Sequence, residues 1–134
     1  MKKNLYLTIS TFLLVAILET IINQLLLKDT YSSLKSIWRP DEDLKSYAPI
    51  FLGIYLVFSI GFAKLFSNSY RGNGIIEGLV IGLCIGAIAK FWYGYTNYIV
   101  LPIPHELAFQ WFFYGMIESV IIGIASAFIL DKTK

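Results

Sequence analysis

The chain has almost none of the residues that usually carry chemistry. Its 134 residues include one cysteine, Cys84, and one histidine, His105. A lone cysteine cannot form an intrachain disulfide, and it reads as a small core residue in a helix interface. One histidine beside Pro104 and Glu106, with no second histidine or cysteine pair, cannot build a nitrogen–sulfur metal site and reads as a surface side chain. Charge is scarce as well, at 15% of residues and a net +2, with no run of lysine or arginine. That argues against nucleic acid as a partner. No phosphate-binding loop and no nucleophile–base motif is present. The sequence therefore predicts no metal, no cofactor and no enzymatic activity.

What the chain does have is apolar length. Hydrophobic residues make up 57% and the mean hydropathy is +0.66, above the usual share in soluble domains. They fall into four blocks, about 5–27, 47–66, 75–100 and 107–130. Each approaches or exceeds the roughly 20 residues that cross a bilayer as a helix. The predicted fold is an all-α, four-helix transmembrane bundle forming one integral membrane domain. Met1-Lys2-Lys3 followed by an apolar run imitates a signal peptide, but Glu19 and Asn23 interrupt the run and no small-x-small cleavage site follows. It reads as a retained first helix.

Orientation follows from Lys and Arg near the ends of the spans. Lys2, Lys3, Lys64, Arg71, Lys132 and Lys134 would lie on one side, and Lys28, Lys35, Arg39 and Lys45 on the other. This bias predicts both termini in the cytoplasm, with a bacterial inner membrane as the location. The aromatic groups Phe91–Tyr98 and Phe109–Tyr114 flank the third connection, and Trp and Tyr favour the headgroup level. The first connection, 28–46, contains Trp38-Arg39-Pro40 followed by Asp41-Glu42-Asp43. Proline with acids just after it predicts a short helix start. That connection reads as a solvated cap first and a docking element second.

Two segments are near copies. Residues 74–86 read GIIEGLVIGLCIG and residues 115–127 read GMIESVIIGIASA. Small residues recur every fourth position, as Gly74, Gly78, Gly82 and Gly86 in one and Gly115, Ser119, Gly123 and Ala127 in the other. Such a stripe keeps to one helix face and lets backbones approach closely. The two stripes are expected to face each other in an antiparallel pair, or one to face a second copy. A homo-oligomer or larger membrane complex, in the lipid bilayer, is the expected assembly.

Ionisable residues inside apolar spans are rare and mark protein- or water-facing positions. Here they are Glu19, Lys64, Glu77, Lys90 and Glu118. At about 1.5 Å per residue, Glu19, Lys90 and Glu118 lie roughly 18–22 Å from the inner ends of their helices. Together with Asn23, one turn beyond Glu19, they form an intramembrane polar layer. Lys64 and Glu77 lie within about 3 Å of the inner boundary and form the predicted inner boundary pair. Lys90 is too far from Glu77 along the same helix to pair with it, so it needs Glu118 or Glu19, or must reach the interface. One reading of the outer layer is an ion pair that fixes helix register. The other is an extra acid that carries a proton or binds a cation.

Trp38-Arg39-Pro40, Glu77-Gly78 with Gly82 and Gly86, and Tyr98, Pro102, Pro104 and Trp111 together resemble a family of small uncharacterised bacterial four-helix membrane proteins. That resemblance implies the fold and no activity. Leu18-Glu19-Thr20 in a first helix is similar to the membrane-embedded glutamate of small multidrug-resistance transporters. It implies a proton- or cation-coupled transporter. Lys64, Glu77 and Lys90 depart from that pattern. The leading expectation is a non-enzymatic accessory or scaffolding subunit, and the alternative is a small coupled transporter.

Overall fold

In the computed structural model, residues 2–133 are described; Met1 and Lys134, the last of the cations counted above, lie outside them. Helix α1 spans Lys2–Ile21 and runs on as a π-helical turn, Ile22–Leu26. The first connection carries two short helices, α2 (Lys28–Ser33) and α3 (Asp41–Ser46), the latter starting after Pro40 at its three acids. Then come α4 (Ala48–Ser69), α5 (Ile75–Val100) and α6 (His105–Lys132). Among the described residues, the α1–π segment, α4, α5 and α6 are long and apolar enough to cross a membrane. No strand occurs among them, so the fold is all-α.

Local chemistry sets the helix ends. Gly72 and Gly74 have φ of 96° and 80°, a region open to glycine, and they turn the chain from α4 into α5. Leu101 and Pro104 are extended, and the two prolines end α5 before α6 begins. The second and fourth helices reach a few residues further than their hydropathy blocks. Ser67–Ser69 and His105–Glu106, outside those blocks, are both helical.

Packing is uneven. Helices α5 and α6 form the closest pair, α1 lies against α4 and α6, and α4 touches α5 and α6 only sparingly. One apolar core joins Leu7 and Val15 of α1, Phe62, Ala63 and Phe66 of α4, and Ile122 of α6. It occupies the end of the bundle where α1 begins and α6 ends. A second core at the connector end joins Leu27, Ile103 and Leu107, with Trp38 and Trp111 packed over it. The first connection therefore folds back onto the bundle. Trp38 contacts the rings of Tyr31 and Trp111, while Arg39 stays exposed and lies over Tyr47 at 5.1 Å. The α4 side chains from Ile50 to Val57 are largely exposed, because α4 packs through its second half.

The repeated segments meet. A Cβ placed on Gly78 would sit 2.5 Å from the Gly123 carbonyl oxygen, and one on Gly82 would overlap the Ser119 carbonyl. Only glycine admits that approach, which exchanges side chains for backbone dispersion contacts. Equivalent residues are 41 apart (115 − 74). The contact Gly78–Gly123 therefore maps onto Ser119–Gly82, and Gly78–Ala127 maps onto Ser119–Gly86. All four contacts are present. The hairpin is a pseudo-twofold pair whose axis runs across the helices. Gly74 is a correction: it lies outside the stripe contact, with open space where a side chain would be, and acts as the N-cap of α5. Cys84 is a second correction. It is exposed on α5, because positions 82 and 86 turn toward α6 and position 84 turns away.

Candidate functional site

Lys90 occupies the place of a glycine. It falls four residues after Gly86 and four before Gly94, so it faces α6 along the small stripe. Its aliphatic stem lies on Gly115, where an added Cβ would sit 2.5 Å from Lys90 Cγ and Cδ. The small residue on α6 thus makes room for the one long cationic side chain on this face of α5.

The ammonium ends between two acids. Lys90 Nζ donates to Glu118 Oε2 at 2.7 Å and to Glu19 Oε1 at 3.0 Å. The Glu118 side chain is 1% exposed, Lys90 is 19% exposed and Glu19 is 22% exposed. Glu118 Oε1 is buried without a hydrogen-bond donor. The Glu118 and Glu19 carboxyl groups thus share one ammonium. The backbones of α1 and α5 scarcely approach, and the Glu19–Lys90 bond links the two helices through their side chains.

A line of hydrogen bonds continues from Glu19. Asn23 Nδ2 donates to Glu19 Oε2 at 2.7 Å and to the Glu19 carbonyl at 2.8 Å. Tyr31 OH donates to Asn23 Oδ1, and Trp111 Nε1 donates to Tyr31 OH, both at 2.7 Å. The π turn begins at Ile22, next to this network; π segments recur at functional positions in helices. Tyr31 lies in the connection beyond the α1 span. Burial pushes its phenol up to about 12, against the opposing Trp111 hydrogen bond.

The structure thus brings Glu19, Asn23, Lys90 and Glu118 together. Depth along each helix and the pattern of small residues made these four visible in the sequence. Tyr31 and Trp111 escaped that reading, since their link spans 80 residues and neither lies in the polar layer by helix position. Tyr55 of α4 and Tyr93 of α5 also sit within electrostatic range of the acids.

Lys64 and Glu77 are not brought together, which corrects the inner boundary pair. Lys64 is exposed, and no ion pair joins it to Glu77 among the described residues. Glu77 instead accepts the backbone N–H groups of Arg71, Gly72 and Asn73 at 2.9–3.1 Å. It lies in the first turn of α5, where the N-terminal amides and the positive helix end favour a carboxylate. The pseudo-twofold clarifies why the two ends differ. Glu77 is the counterpart of Glu118, and Asp131 is the counterpart of Lys90 (90 + 41). Two acids cannot pair, so Glu77 turns to the amides while Asp131 accepts the Tyr70 hydroxyl at 2.7 Å. Tyr70 in turn accepts the Gly74 N–H.

Two shallow recesses follow the exposed side of α4, lined by residues such as Arg39, Tyr47, Ile50 and Val57. Glu19, Lys90 and Glu118 line neither. His105 is exposed and sits against Tyr95 and Tyr98.

Fold and site define an all-α protein with four long apolar helices and an acid–base–acid cluster between them, enclosed at Glu118 and partly exposed at Lys90 and Glu19. Compared with protein-family models, curated proteins and solved structures, the chain matches none.

Proposed function

We propose that the chain is a multi-pass integral membrane protein serving as a non-enzymatic accessory or scaffolding subunit. One observation carries this reading. The Glu19–Lys90 pair is about a fifth exposed on a bundle whose surface is otherwise mostly apolar. In hydrocarbon such a polar patch is costly unless protein or water covers it. A neighbouring transmembrane segment that covers it would complete the bundle. The tight α5–α6 hairpin supplies rigidity for that role, since its glycine contacts leave no cleft between the two helices. The termini face the cytoplasm in this reading, and the aromatic connector end faces outward.

Purification in mild detergent tests it. A homo-oligomer or a larger complex should be recovered, and Glu19→Leu should weaken that assembly. A strict monomer that moves a solute after reconstitution alone would overturn the reading in favour of the small coupled transporter.

A further inference from the structure

Glu19, Lys90 and Glu118 carry one more acid than base. With both acids ionised the cluster would hold a net negative charge in an apolar surrounding. A neutral set costs far less there than an uncompensated charge. Two geometric facts point the same way. Glu118 Oε1 is fully buried and receives no donor, and the carboxyl groups of Glu118 and Glu19 converge on a single ammonium, at 2.7 and 3.0 Å. Two carboxylates around one cation repel each other, and a proton on either relieves the repulsion. Lys90 does not serve Glu118 Oε1, since its ammonium is directed at Glu118 Oε2 and Glu19 Oε1.

We propose that this cluster is a proton-binding site that holds one exchangeable proton on its two carboxyl groups, with Glu118 Oε1 as its buried seat. The groups around it are consistent with a neutral occupied state. Helix α4 contributes only the Tyr55 phenol, α5 contributes Lys90 and the Tyr93 phenol, and α2 contributes Tyr31 through Asn23. Among the described residues no further cation pairs with the second acid. The proton leaves from Glu19, the acid with a fifth of its side chain exposed, and Glu118 stays enclosed. Lys90 also allows the charge to move within the site. Glu19 takes a proton from the Lys90 ammonium while the resulting amine takes the proton of Glu118. The total charge is unchanged, and the negative charge has passed from Glu19 to Glu118.

Infrared difference spectroscopy on the full chain in lipid tests this, with the carboxylic C=O stretch as the signal. The wild type should show a protonated-carboxyl band near neutral pH. The band should shift in D2O and be lost reversibly at alkaline pH. Glu118→Gln and Glu19→Gln should each abolish it, since either change leaves one acid matched to one base. Lys90→Met should keep or enlarge it, because both acids then lack a counter-charge. These variants are near-isosteric, and circular dichroism establishes that each sample is folded. No carboxyl band in the wild type would overturn the proposal, as would a band that persists in either glutamine variant. An absent band together with stabilisation by added sodium or potassium would also overturn it, and would assign an alkali cation to the site instead.

Discussion

Replacing Lys90 with methionine isolates the charge of the cluster from its packing. Methionine keeps an unbranched stem of similar length over Gly115, the surface that Lys90 Cγ and Cδ cover, so the volume term stays small. What goes is the ammonium that serves Glu118 at 2.7 Å and Glu19 at 3.0 Å. Removing one partner of a buried pair costs about 3–5 kcal/mol. The two arms should contribute unequally. Glu118 is 1% exposed and has no solvent to fall back on, whereas Glu19 is 22% exposed. The expected coupling is therefore about 2–3 kcal/mol for Lys90 with Glu118 and below about 1 kcal/mol for Lys90 with Glu19. Glu118→Gln in the Lys90→Met background should recover much of the loss, since the enclosed acid is then neutral and only the partly exposed Glu19 lacks its counter-charge. The assay is a double-mutant cycle on reversible unfolding in detergent. Proton uptake by the orphaned acids softens the loss, so the single variant should recover stability as pH falls. Additive effects of Lys90→Met with both glutamine changes would refute the paired layer.

Three further outcomes follow from the packing and the connector end. Gly123→Ala should destabilise the hairpin by about 1–3 kcal/mol, because the new methyl would overlap the Gly78 carbonyl, while Gly53→Ala, with open space around it, should be neutral or stabilising by up to about 1 kcal/mol; thermal unfolding of the two variants side by side checks the contrast. Tyr31 ionises only near 12 in the folded chain, against an ordinary value of 10.0; its contribution to stability is complete below pH 10 and falls as pH rises from 10 to 12, by roughly 2 kcal/mol in all, a decline that Tyr31→Phe should remove from the pH–stability curve. Cysteine labelling at residue 36 and of tags at both termini should report opposite sides, and labelling from the same side would sink the proposed orientation.

Hydropathy and spacing carried much of this protein on their own. Four apolar blocks long enough to span a bilayer define four helices, because in hydrocarbon a helix satisfies its own backbone. The fourfold spacing of Gly78, Gly82, Gly86, Ser119 and Gly123 marked the faces that pack, because side-chain direction on a helix follows from position alone. The same arithmetic placed Glu19, Lys90 and Glu118 at one depth. Helix phase could also have placed Cys84 away from that interface, opposite to its reading as a core residue.

Tertiary structure decided what those faces and charges meet. Nothing in the spacing says that Lys90 would sit between two acids rather than reach the interface; the space above Gly115 decides it. Glu77 and Lys64 lie at similar depth, yet Glu77 turns to the amides of Arg71, Gly72 and Asn73, because a loop folded back over a helix start offers donors that depth cannot reveal. The link from Trp111 through Tyr31 and Asn23 to Glu19 exists only once the first connection packs onto the bundle. Helical periodicity is a local property and is written in the chain, whereas the partner of a polar atom depends on which distant segment the folded chain brings to it.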